Sequence, residues 1–121
     1  MGITVKIDAP DTATLIPHQV LKKFEKAFLR LHWVFMKKGV RIALRVDKRL
    51  SMFELSNCND KSKFAGLVIL YYSEDNLFEV FEYQEGPDKE LWIYGYYKSP
   101  MAALKTLLMA DSTKNPIRIY R

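Results

Sequence analysis

Between Pro17 and Gly39 apolar residues recur every three or four positions, with Leu21, Phe24, Phe28, Leu31 and Phe35 on one stripe and Leu29, Trp33 and Met36 on the next. This spacing predicts a single long helix. Its second half is apolar on nearly every side, so the pattern predicts cover over most of its circumference, which a curved sheet supplies better than one neighbouring helix. Pro17 fits the first helical turn, where its missing amide has no intrahelical partner, with Thr14 or a neighbour as the capping residue. Gly39 ends the helix, and Lys37 and Lys38 suit the negative end of its dipole.

The rest of the chain follows a period of two. Ile3 to Ile7 and Val40 to Val46 alternate cleanly, the latter with Val40, Ile42, Leu44 and Val46 on one face and Arg41, Ala43 and Arg45 on the other. Leu50 to Asn57 is a weaker strand. Leu67 to Tyr72 is apolar on both faces, as expected at a sheet centre, and Leu77 to Tyr83 alternates imperfectly, which predicts a bulge. Glu85-Gly-Pro-Asp-Lys89 is a hairpin signal leading into Leu91 to Lys98, where Leu91, Ile93 and Tyr97 share one face and Trp92, Tyr94 and Tyr96 the other. Ser99-Pro100 opens a second helix, Met101 to Met109, which Asp111 to Pro116 breaks before a last edge strand, Ile117 to Arg121. The order is β-α-β-β-β-β-β-α-β. It predicts an α+β class, a mainly antiparallel meander sheet packed around one long helix, in one domain spanning residues 1–121.

Charge sharpens this picture. Across 121 residues the formal net charge is +5, but from His18 to Arg49 ten basic residues face Glu25 and Asp47, giving +8. From Glu74 to Glu90 seven acids face Lys89, giving −6. Such a chain is a strong dipole whose ends suit different partners. Lys22, Lys26, Arg30 and Lys37 follow steps of four, four and seven and so line one side of the helix, with Lys23 beside them, while Arg41 and Arg45 project together from the next strand. If the two sets converge they form a patch for phosphates or an acidic protein surface. Otherwise the lysines are the wet face of an amphipathic helix. In the acidic region the candidates are Glu74, Asp75, Glu85, Asp88 and Glu90, and Trp92, Tyr94 and Tyr96 form a candidate row for stacking on bases.

Candidate chemistry is sparse. His18 and His32 are the only histidines and, fourteen residues apart on one helix, lie roughly 21 Å from each other, too far to share a metal within one chain. His32 reads as a core imidazole, and the lone Cys58 as a loop thiol without a disulfide or zinc framework. The five glycines fall in no phosphate-cradling spacing, and the acids lack the pairing that general acid–base chemistry requires. No metal site or cofactor is expected. Leu67 to Tyr72 is far shorter than the roughly 20 residues that cross a bilayer, and no secretory signal precedes it, so a soluble cytoplasmic protein without a membrane partner is expected.

The function expected is that of a small non-catalytic interaction protein that binds and modulates or inhibits a protein or nucleoprotein complex. By analogy alone, small accessory inhibitors carried by phages and other mobile elements share this profile. The alternative is direct nucleic-acid binding through the basic residues with aromatic stacking, and a third reading places an apolar small-molecule pocket between helix and sheet, lined by Trp33, Met36 and the sheet aromatics. A monomer and a homodimer paired along the last strand are both compatible with the sequence.

Overall fold

The computed structural model describes residues 4–7, 16–59, 64, 66–83, 90–113 and 117–120; for 4–7, 83, 90–92, 111–113 and 117–120 it describes the backbone only. The elements run β1 (Thr4–Ile7), α1 (His18–Lys37), β2 (Ile42–Asp47), β3 (Met52–Asn57), β4 (Leu67–Tyr72), β5 (Leu77–Tyr83), β6 (Glu90–Tyr97), α2 (Pro100–Thr113) and β7 (Ile117–Tyr120). All seven strands form one sheet in sequence order. From β2 to β7 every neighbouring pair is antiparallel, whereas β1 runs parallel to β2, Thr4 opposite Ala43. Parallel neighbours need a long crossover, and α1 is that crossover. The expected α+β meander around a long helix is the fold.

Pro17 occupies the N-cap position, one residue before the helix, with no side-chain capping bond; its carbonyl accepts the first intrahelical bond, from the Leu21 amide at 3.0 Å. The C-terminus closes as a Schellman motif, with Gly39 N–H bonded to the Met36 carbonyl and Val40 N–H to that of Phe35. Gly39 takes φ +76°, the left-handed conformation this motif requires.

One face of the sheet holds the core. Ile42, Leu44 and Val46 of β2, Phe53 and Leu55 of β3, Leu67, Ile69 and Tyr71 of β4, and Phe78 and Val80 of β5 pack with Leu21, Phe24, Ala27 and Phe28 of α1 and with Ala103, Leu104, Leu107 and Ala110 of α2. Phe24 stacks on Phe53 with centroids 3.7 Å apart and reaches Phe78 at 5.6 Å. The expected apolar pocket between helix and sheet does not take in Trp33, which is exposed, and Met36 lines a cleft at the C-terminal end of α1. On the opposite sheet face Val68, Phe81 and Ile93 form a smaller buried cluster flanked by Met52 and Leu70.

Two expectations change in detail. β5 alternates regularly, Phe78 and Val80 toward the helices and Glu79 and Phe81 away; both of its faces are covered, so its apolar pattern is two-sided. The expected irregularity falls in the β5–β6 ladder between Val80 and Phe81, but the extra residue is on β6: Gly95 pairs with Val80 and Ile93 with Phe81, leaving Tyr94 as the extra residue of the bulge. Gly95 makes this possible at φ +153°, and a Cβ there would sit 2.5 Å from the Tyr97 hydroxyl. Finally, α2 continues past Asp111 to Thr113, since one acid and two hydroxyl residues are weak breakers without the proline at 116. The Glu85–Lys89 hairpin turn lies outside the described residues.

Candidate protein-interaction face

The burial of α1 fixes what it shows to solvent. With Leu21, Phe24, Ala27, Phe28 and His32 turned to the core, Lys22, Lys23, Lys26, Arg30, Lys37 and Lys38 are all exposed on the opposite side. Lys98, just before α2, shares a pocket with Lys23, Lys105 of α2 is also exposed, and Glu25, half-buried, is the one acid within α1. None of these cations forms a salt bridge among the described residues.

Two apolar residues interrupt the cationic row. Trp33 is 61% exposed and Val34 is 50% exposed, both in the turn between Arg30 and Lys37. The expectation that a sheet covers this half of the helix fails at Trp33: seven positions after Lys26 and four before Lys37, it shares their face. Beside the row, Lys23, Lys26 and Arg30 rim a shallow groove of about 210 Å³ whose remaining walls are Ala27, Ser99, Pro100 and Met101. Ser99 caps α2, its hydroxyl accepting the Ala102 amide at 3.3 Å.

The strand arginines do not join this face. Alternation that buries Ile42, Leu44 and Val46 against α1 sends Arg45 to the far side of the sheet, where it pairs with Glu54 at 2.6 Å and approaches Asp47 at 3.8 Å. Arg41 lies at the C-terminal end of α1, in a cleft of about 370 Å³ with Met36, Gly39, Val40, Cys58 and Asn59. There the Arg41 amide donates to Asn59 Oδ1 and its carbonyl accepts from the Cys58 amide.

The aromatic row is split by the bulge. Tyr94 packs against the main core and donates its hydroxyl to Glu82 at 2.7 Å, whereas Tyr96, 53% exposed, pairs with Glu79 on the sheet face turned away from the helices. Of Trp92 the structure gives the backbone register, opposite Glu82. Tyr96, the exposed tyrosine of the row, therefore lies on the side of the sheet opposite the α1 cations.

The acidic region is divided too. Glu74 and Asp75 are exposed in the β4–β5 turn, but Glu79 and Glu82 are buried on opposite sheet faces, each accepting a tyrosine hydroxyl, from Tyr72 and Tyr94 respectively. Glu90 is described through its backbone only, and Glu85 and Asp88 lie outside the described residues.

His32 is 2% exposed, between Phe28 and Trp33, and its Nδ1 has no hydrogen-bond partner among the described residues. His18 is exposed at the other end of α1, and Cys58 is exposed. Among the described residues no three His, Cys, Asp or Glu side chains gather as a metal site, and no helix is long and apolar enough to cross a membrane. Sequence reasoning found the cations but missed the exposure of Trp33. No family model matches the chain, and no curated protein or solved structure is significantly similar to it.

Proposed function

We propose that this protein acts by binding, as a non-catalytic interaction module whose basic α1 face docks on a macromolecular partner and modulates or blocks it. The observation that carries this reading is Trp33, an exposed large aromatic set among unpaired cations on a helix whose opposite face is fully used by the core. Tryptophan and arginine are the residues most enriched where binding energy concentrates, and a charged surround steers an oppositely charged partner.

The test is capture of partners from the native host by tagged wild-type protein and by a Lys26→Glu/Arg30→Glu variant, quantified by mass spectrometry with and without nuclease. A partner retained after nuclease and lost with the double reversal is the expected result. Retention unchanged by the reversal, or substrate turnover that disappears on replacing His32 or Cys58, refutes the reading.

Direct nucleic-acid binding is the second reading, favoured by the row of Lys22, Lys26 and Arg30 with the Trp33 ring available for stacking. It requires retention of DNA or RNA that falls steeply with salt.

A further inference from the structure

From the same face, and resting on the reading that it is the docking surface, we infer the chemistry of what docks: an acidic amphipathic helix of a partner protein. The cations ascend α1 in regular steps. Lys22, Lys26 and Arg30 are separated by a rise of about 6 Å each, with Lys37 a further 10 Å or so along. A second α-helix laid beside α1 repeats its own side chains with that same rise, so carboxylates spaced four residues apart meet the ladder in register.

Apolar surface accompanies each part of the ladder. Trp33 and Val34 stand exposed between Arg30 and Lys37, and the groove behind Lys23, Lys26 and Arg30 is walled by Ala27, Pro100 and Met101. A ligand that satisfies both must offer apolar side chains alternating with negative charge. An acidic amphipathic helix does so at helix-to-helix distances of 8–10 Å.

A nucleic acid satisfies the cations less completely. Its phosphates supply charge without an apolar group for the groove, and the tyrosines able to extend a stacking platform are elsewhere, Tyr94 engaged with Glu82 and Tyr96 on the far sheet face.

The experiment is a selection against the full chain from a display library of helix-forming peptides randomised on one face, with labelled single-stranded and duplex oligonucleotides titrated in parallel at moderate salt. Selected peptides are expected to carry Glu or Asp at four-residue spacing around large apolar residues. Their affinity should fall about tenfold or more with Trp33→Ala and with Lys26→Glu/Arg30→Glu, variants whose thermal melts are matched to wild type beforehand. Oligonucleotides should bind more weakly than the peptides. The inference is overturned if selection yields no binder, if the winners lack acids, or if they bind Trp33→Ala as well as wild type. Tight oligonucleotide binding lost on the Lys26/Arg30 reversal overturns the partner class while leaving the docking face in place. Should every bound probe be indifferent to both variants, the docking face falls as well.

Discussion

Replacing His32 by leucine should stabilise the protein. The imidazole is 2% exposed and its Nδ1 lacks a partner among the described residues, and leaving a buried polar atom unsatisfied costs about 1–3 kcal/mol. Leucine is of similar bulk and carries no polar atom, so the substitution removes that cost without opening a large cavity. Against it stand two ring contacts, with Phe28 at 6.0 Å and Trp33 at 6.1 Å, of which the second involves an exposed side chain. Allowing about 0.5–1 kcal/mol for their loss leaves a net gain of about 1 kcal/mol. In a domain of this length that corresponds to a rise in Tm of about 3–6 °C. Urea denaturation followed by circular dichroism, with an unchanged m-value, measures the difference directly. His32→Ala is the control and should lose stability through the cavity it creates. A leucine variant destabilised by more than about 1 kcal/mol would refute the reasoning, because the imidazole would then be making a bond that its surroundings do not reveal.

Other substitutions test the architecture. Phe24→Ala should cost about 3–5 kcal/mol, and a double-mutant cycle with Phe53 should return a coupling of about 0.5–1.5 kcal/mol from rings stacked 3.7 Å apart; additive losses in denaturant melts would deny that contact. Gly95→Ala should destabilise by more than Gly39→Ala, since a Cβ at 95 collides with the Tyr97 ring and hydroxyl while one at 39 meets nothing within 4 Å and pays only for its positive φ, about 1 kcal/mol. Equal losses at the two glycines, read from thermal melts, would contradict the bulge geometry.

The class of fold was legible because α1 and β2 each obeyed one period. Leu21, Phe24 and Phe28 marked the buried stripe of α1, and Ile42, Leu44 and Val46 marked the inward face of β2. The same alternation already implied that Arg45 faces away from α1, so the two basic sets were separable in sequence by following β2 to its other side. Trp33 is apolar, but by helical position it falls with Lys26 and Lys37, and position decides its exposure. Legibility was lowest in β6. Alternation through Trp92, Tyr94 and Tyr96 breaks at a bulge whose only advance sign is Gly95, and the pairing that creates it depends on β5, a neighbour in space that supplies no local pattern. Glu79 and Glu82 were likewise unreadable as interior residues, since their tyrosine partners come from β4 and β6.

The unpaired row on α1 has an energetic consequence for the isolated molecule. Lys22 with Lys26, and Lys26 with Arg30, are like charges one turn apart, and each such pair opposes the helix that holds it by about 0.2–0.5 kcal/mol. The solitary protein thus keeps its own crossover helix under mutual repulsion. Anything anionic that settles there quenches the repulsion as it binds, so association tightens the very segment that ties the first strand to the second, and occupancy of the surface is felt through the whole sheet as added resistance to unfolding.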